Sequence, residues 1–306
     1  MKKYIYSSIA FVLLFTSYSC DNFFETTIKI DPPPYQQQLV LHAYLSNVDT
    51  SITAMVTENI GLLELRDTLA YINDAVIEVL IDGVVKYRLD YLENKEGRLV
   101  NYESLRLDPN DIEGKEVEFR ISHPDYIAIS AKQRMPNLVP LKRVRYLENA
   151  GISDDGEVSS GVELELDDPP NEANYYEVSL YYEDTENGRD IFSIYTTEND
   201  ISVEESILYN SHLLSDENFD GQNFKFRLFT NGFDPNDFDP STLGGRFLCS
   251  WRMLTEEQYL YSRSVRQQEN TEDLGPFAQP VTIFSNVENG LGVFGLRREV
   301  TYPVEF

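Results

Sequence analysis

The stretch DENFDG, Asp216 to Gly221, comes nearest of any in the chain to a recognisable chemistry. Asp216, Asn218 and Asp220 alternate and a glycine follows, as at the opening of a calcium-binding loop. A hard cation wants several oxygens converging on one point, and glycine permits the sharp turn between them. An EF-hand would place a bidentate glutamate six residues after that glycine, but the residue there is Arg227, a cation. That closes the EF-hand reading and leaves two others, a non-helical calcium site or an Asp/Asn/Gly turn with no metal. The segment NGFDPNDFDP adds Asp234, Asp237 and Asp239, each beside Pro, Phe or Asn, and reads as turn-forming.

Catalysis finds little support. The three histidines are His42 in a strand-like run, His123 just before Pro124, and His212 after Asn210-Ser211. None has metal-ligand spacing to another. No G-x-S-x-G elbow is present, and Cys249 has no recognisable histidine partner motif. Carboxylate pairs suited to glycoside hydrolysis could be drawn from 52 acids in too many ways to carry information. The expectation is a protein that is not an enzyme and has no cofactor, with calcium as the one exception to look for.

Charge narrows the partners. The chain has 25 basic and 52 acidic residues, a net charge of −27. Nucleic acid is excluded as a ligand because phosphate binding needs Lys and Arg gathered on one face. A cationic partner or simple solubility outside a cell fits better.

The N-terminus reads as an export signal. Lys2 and Lys3 precede an oily run from Ile5 to Phe15, and Ser17-Tyr18-Ser19 lead to Cys20. The run is shorter than the ~18–20 apolar residues that span a bilayer, so it reads as removable. Ser17 to Cys20 resembles a bacterial lipobox, whose cysteine becomes the lipidated first residue; the alternative is an ordinary secretory signal with a chance cysteine. Removing residues 1–19 leaves 23 basic and 52 acidic residues, a balance of −29. Residues 20–38 then form a tether ending in the stiff Asp31-Pro32-Pro33-Pro34. Its residues Asp21 to Gln38 could reach ~60 Å if fully extended.

Downstream, strands dominate. AVIEVLIDGVVKYRL sets two β-prone runs around Asp82-Gly83, a pair suited to the positive backbone angles of a tight hairpin. QLVLHAYLSN, SITAMVTEN and KEVEFRISHPDYIAISAKQRMP supply further strands, so residues 39–137 read as an antiparallel β-sandwich. Met135 to Pro140, with prolines at both 136 and 140, interrupts ladder pairing and marks the boundary. In residues 138–306, Val162, Leu164 and Leu166 alternate with acids, and Tyr176, Val178, Leu180 and Tyr182 share a face. In GRFLCSWRM, Cys249 alternates with Phe247, Trp251 and Met253 as a buried residue, opposite Arg246, Ser250 and Arg252. One helix stands out in LTEEQYLYSRSVRQQEN, with Thr255 and Gln258 as a capping box and Leu254 stapled onto Tyr259. Tyr175 and Tyr181 fall opposite Tyr176 and Tyr182. Either they meet a partner or that face is covered within the fold.

The order of motifs then becomes informative: DDPPNEANYYEVSLYYED, LLSDENFDGQNFKF, LTEEQYLYSRSVRQQ and LGPFAQPVTIFSNVENGLGVFG. With the lipobox and the N-terminal hairpin, this series resembles domain-of-unknown-function family 4249, outer-membrane lipoproteins of Bacteroidota. Asp168-Pro169-Pro170, Tyr175-Tyr176, Asp220-Gly221, Gly275-Pro276-Phe277 and Asn286 through Gly295 carry the likeness. The resemblance implies a mainly β protein: a transthyretin- or immunoglobulin-like sandwich followed by a second β-rich, sandwich-like domain. It also implies a cell-surface neighbourhood beside TonB-dependent receptors, and it supplies no catalytic residues. The glycines of NGLGVFG, with no following lysine, suit tight turns or close backbone approach rather than phosphate. The expected role is a lipid-anchored accessory protein docking on an outer-membrane β-barrel. The alternatives are a freestanding polysaccharide- or peptide-binding module, a structural subunit of a barrel-assembly or secretion complex, or a surface hydrolase.

Overall fold

The computed structural model describes residues 35–61, 70–93, 99–152, 156, 158–184, 188–192, 194–196, 203–206, 210–230, 245–272 and 281–306. The signal 1–19, Cys20, the tether as far as Pro34, Asp234, Asp237, Asp239 and Gly275-Pro276-Phe277 lie outside the described residues. The elements below belong to one unit, Gln37–Ile60 with Arg66–Phe306.

The first strands are β1 (Leu39–Ser46), β2 (Ile52–Glu58), β3 (Val76–Ile81), β4 (Val84–Tyr91), β5 (Tyr102–Ser104), β6 (Glu116–His123) and β7 (Tyr126–Arg134). There follow β8 (Leu141–Ile152), β9 (Val158–Asp167), β10 (Tyr175–Asp184), β11 (Gly188–Ile191), β12 (Ile194–Tyr195) and β13 (Val203–Ser206). The last are β14 (Ser211–Ser215), β15 (Asn223–Thr230), β16 (Arg246–Leu254), helix α1 (Glu256–Glu272) and β17 (Leu291–Pro303). The fold is mainly β, as its alternating sequence requires. Asp82 and Gly83 take φ of 48° and 79°, and Ile81 pairs with Val84 across the hairpin they form.

One sheet runs β13-β14-β10-β16-β17-β1-β2-β5-β4-β3-β6-β7, and a second runs β12-β15-β9-β8. The long strand β17 joins the two halves of the first. Its residues Leu291–Arg297 pair with β1, and Arg297–Pro303 pair with β16. The β1–β17 pair is parallel, whereas the sequence predicts antiparallel pairing throughout the first sandwich. Two strands so far apart in sequence can meet in either sense, and local alternation does not distinguish them. Gly292 sits at φ 103°, and a Cβ there would lie 2.0 Å from the Leu41 carbonyl oxygen. Only glycine allows the two backbones to come that close.

The first core draws Leu41, Leu45, Ile52, Val56, Val79, Val117, Phe119 and Ile121 together with Phe294 and Leu296 of β17. Phe119 and Phe294 pack with ring centroids 4.7 Å apart. The strand path closes on itself where Ser130 of β7 and Glu288 exchange two backbone hydrogen bonds of 3.3 and 2.8 Å. The second core lies between the two sheets, with Val162, Leu164, Leu166, Tyr176, Val178, Leu180, Phe247, Cys249, Trp251 and Met253 facing one another. The Trp251 indole N–H donates to the Val139 carbonyl at 2.9 Å, pinning the end of the proline-bounded connection.

On the solvent side of the second sheet, alternation becomes a ladder of opposite charges. Arg145 and Arg227 flank Glu163, and Lys142 and Lys225 flank Glu165. Exposed pairs of this kind contribute little each and serve chiefly to keep the face solvated.

Helix α1 forms where the sequence places it, and Leu254, Leu213 and Tyr259 cluster at its start as the staple requires. The capping box does not form. The Thr255 N–H donates instead to the Leu296 carbonyl at 3.2 Å, and neither Thr255 Oγ1 nor Gln258 Oε1 has a partner among the described residues. Tertiary contact with β17 overrides the local motif.

Candidate functional site

The Asp216–Gly221 loop lies at one end of the second sandwich, where two connections meet. One is Asp168 to Asn174, between β9 and β10; the other is Asp216 to Gln222, between β14 and β15. Their backbones are tied by hydrogen bonds from Asp168 N–H to Gln222 O, 3.0 Å, and from Asp216 N–H to Asn174 O, 3.1 Å. Asp216 opens a single 3₁₀ turn, Asp216–Asn218, which brings Asp220 round to the same side.

Carboxylate oxygens of Asp168, Asp216 and Asp220 lie within 4.8 Å of one another, with Asp168 and Asp216 buried and Asp220 exposed. Among the described residues this is the one group of three His, Cys, Asp or Glu side chains close enough to share a metal ion. Asp216 and Asp220 are the sequence candidates; the third member is Asp168, not Asn218.

Neutral donors surround the three acids. Tyr176 O–H donates to Asp168 Oδ1 at 2.5 Å and Gly221 N–H to Asp168 Oδ2 at 3.1 Å. Asn174 donates to Asp216 Oδ2 from its backbone at 2.7 Å and its side-chain amide at 3.3 Å. Asn171 N–H donates to Asp220 Oδ1 at 2.9 Å. Burial pushes the Asp168 and Asp216 carboxyls above the ordinary carboxylate range, neighbouring acids add to it, and the donated hydrogen bonds only partly offset it. Burial likewise pushes the Tyr176 hydroxyl strongly upward, so it stays a donor. Gly221, at φ 70°, has no room for a side chain: a Cβ would lie 2.8 Å from that of Pro170. The Asp-Pro-Pro and Asp-Gly motifs therefore lock against each other. Chemically the cluster can offer oxygens to a hard cation or hold a proton among its carboxylates.

The other singled-out residues do not assemble into a site. His42 Nε2 is 2.9 Å from the Tyr261 hydroxyl, and burial lowers its pKa. His123 accepts from Asp125 N–H at Nδ1, 3.1 Å, which puts its proton on Nε2, 2.8 Å from Asp74. His212 is buried with neither ring nitrogen partnered among the described residues, and burial holds its pKa down at about 4. Cys249 is a free, fully buried thiol in the second core, as alternation predicts, and burial pushes its pKa up.

Of the two readings left open for Tyr175 and Tyr181, the structure selects a covered face. Tyr175 packs on Tyr259 of α1 with centroids 4.7 Å apart, and Tyr181 is buried with the Arg189 guanidinium 4.5 Å over its ring.

That covered face holds a group which sequence reasoning misses. Glu177 of β10, Arg252 of β16 and Glu299 of β17 stand directly opposite one another across three strands. Arg252 reaches Glu177 and Glu299 at 3.3 Å each, while Ser211 and Ser250 hydroxyls donate to the remaining oxygens at 2.7 and 2.8 Å. Burial opposes the Glu299 charge, but Arg252 and Ser250 prevail and hold its pKa below the usual value. Asn47 grips the Glu299 backbone at both N–H and C=O, 2.6 and 3.1 Å. The only sequence signal available was Arg252 itself, which alternation assigns to solvent.

A search among curated proteins finds no match. A family model described as "Domain of unknown function (DUF4249)" matches residues 25–302, which takes in both sandwiches, the locked Asp-Pro-Pro and Asp-Gly motifs and the shared strand β17. The chain belongs to that family.

Proposed function

We propose that the protein is a lipid-anchored accessory protein of the outer membrane that acts by binding, docking on a β-barrel to assist substrate capture or gating. A TonB-dependent receptor is the barrel that the family resemblance favours. The observation carrying this reading is the Lys2-Lys3, oily run and Cys20 series, followed directly by the acidic tether. With β1 beginning at Leu39, eighteen residues, Asp21 to Gln38, separate the lipid from the first strand. At ~3.4 Å per residue this allows up to ~60 Å, enough to let the body reach a barrel mouth from the same leaflet. The −29 balance of the mature chain favours a basic docking surface over anionic lipid.

Fractionation of cells expressing C-terminally tagged wild type and Cys20→Ala tests the anchor. Wild type should follow the outer membrane and incorporate labelled fatty acid, and the variant should do neither. A mild-detergent pull-down of wild type then tests the docking. A near-stoichiometric outer-membrane barrel is the expected result. Recovery of the lipoprotein alone across several detergents would overturn the docking and favour a freestanding binder.

A further inference from the structure

The closing bridge between β7 and the segment before β17 stops at Ser130, short of the strand's end at Arg134. Ser130 uses its N–H and C=O on Glu288, so those groups point away from β6. Alternation in an antiparallel ladder then turns the N–H and C=O of Lys132 to the same side. No hydrogen bond reaches them among the described residues. Beside this open edge lies a cleft of ≈310 Å³, walled by β7, by Asn286 and Glu288, and by Glu257 in the first turn of α1. It falls at the lower end of ligand-site volumes.

The walls have a definite chemistry. Gln133, 7% exposed, forms part of the cleft, and its amide Nε2 has no hydrogen-bond partner among the described residues. A buried amide left unsatisfied is costly and marks a place where an acceptor belongs. Glu118 is already bound by Arg120 at 2.9 Å, and Lys132 Nζ turns toward Glu116, 3.7 Å away. Glu257 and Glu288, by contrast, have no cation among the described residues. Their carboxylates do not converge with Glu118 closely enough to hold a shared metal ion, unlike the Asp168 group. Separated carboxylates suit an ammonium or guanidinium, which donates in several directions at once.

We propose that this cleft binds an extended, basic peptide segment of a partner protein. The segment's backbone would add to the edge of β7 at Lys132, and its Lys or Arg side chain would sit between Glu257 and Glu288. Edge addition supplies main-chain hydrogen bonds, and the acidic pocket supplies the choice of side chain. The site does not depend on the lipid anchor or on which barrel is docked.

The test uses full-length protein purified in mild detergent, with no barrel present, and titrates it by calorimetry with acetyl-Val-Lys-Val-amide. Acetyl-Val-Glu-Val-amide, the lysine peptide N-methylated at its central residue, and lysine amide are the comparison probes. The lysine peptide should bind at least about tenfold more tightly than each of the three, a difference easily resolved in Kd. Glu257→Gln with Glu288→Gln, the first half-buried and the second exposed, should weaken it by about tenfold or more without lowering Tm. Equal binding of the glutamate peptide, or unchanged binding by the double variant, would overturn the site. Lysine amide binding as well as the peptide would overturn the strand-edge contact. Peptide binding without a co-purifying barrel would sustain this inference while the docking reading fails.

Discussion

Two regions of the second sandwich bury acidic side chains, and they answer the cost of burial in opposite ways. At the loop clasp, Asp168 and Asp216 are held by a tyrosine hydroxyl, a side-chain amide and backbone N–H groups, with no ion pair to a cation among the described residues. Their carboxyls are consequently easier to protonate than usual. At the covered face of the sheet, Glu177 and Glu299 share the Arg252 guanidinium, and Glu299 is harder to protonate than usual. A buried carboxylate can be tolerated by weakening its charge or by neutralising it from outside, and this chain does both within one domain. The difference lies in the compensation: the triad answers its acids with a buried cation, and the clasp answers them with neutral donors.

The sharpest way to break that contrast is to remove the cation. Arg252→Met leaves Glu177 and Glu299 facing each other without compensation, and it should cost about 3–5 kcal/mol in urea denaturation. Adding Glu177→Leu and Glu299→Leu should recover most of the loss, because an apolar trio of similar volume carries no desolvation penalty. Failure of the triple variant to recover would mean that the Ser211 and Ser250 hydroxyls depend on the carboxylates more than the pair itself does. At the clasp the expected effect is smaller. Asp168→Ala strips the buried Tyr176 hydroxyl of its acceptor and should cost about 1–3 kcal/mol. Asp168→Asn keeps one accepting oxygen for Tyr176 but loses the charge and the second acceptor, which takes the Gly221 N–H, and should still cost less than Asp168→Ala. A cost for Asp168→Asn as large as that of Arg252→Met would erase the distinction.

How far these regions could be read in advance follows the same division. Strand faces were legible residue by residue: Val162, Leu164 and Leu166 alternate in the sequence and all three are buried. The clasp was half legible, since Asp216, Asp220 and Gly221 are local, whereas Asp168 arrives from the β9–β10 connection through topology. The triad was not legible. Alternation puts Arg252 with Arg246 and Ser250, and Arg246 is indeed exposed and paired with Glu183 at 2.6 Å. Arg252 lies further along the same face, in a sheet where α1 packs against β10, β13 and β17. No periodicity within β16 records what covers it from outside. The Thr255 capping box fails for a related reason, because the Leu296 carbonyl that takes the Thr255 N–H comes from β17.

Acid should separate the two regions without any substitution. Asp168 and Asp216 have folded pKa values above the usual 3.8, so the folded state takes up protons first as pH falls. Their contribution to stability therefore grows through that raised range, is fully present below 3.8, and is lost again as pH rises. Glu299 has a folded value below its usual 4.5, so its contribution is present above 4.5 and is lost as pH falls through the lowered value. Buried His212, held down at about 4, and buried His42 act the other way: their contribution is lost as pH falls below 6.5, so the thermal midpoint should fall overall on acidification from neutrality. Asp168→Asn with Asp216→Asn should steepen that fall, and Glu299→Gln should soften it below about pH 4.5. A fall unchanged in the double Asn variant would place the protonating groups elsewhere.

Calcium gives the smallest expected effect and bears on the clasp alone. Three carboxylates within 4.8 Å could serve as ligands, but donors already occupy both oxygens of Asp168 and one oxygen each of Asp216 and Asp220. A cation entering there would have to displace Tyr176 O–H or backbone N–H groups that also hold the two connections together. Only six to eight well-placed oxygens make a tight calcium site, and a clasp built from N–H donors offers fewer free ones. One millimolar calcium should therefore raise the thermal midpoint by no more than ~1 °C, the shift expected for a dissociation constant near millimolar or weaker. A shift of several degrees that Asp220→Asn abolishes would reverse the comparison. The clasp would then also neutralise its acids from outside, with a metal ion in the part that Arg252 plays in the triad.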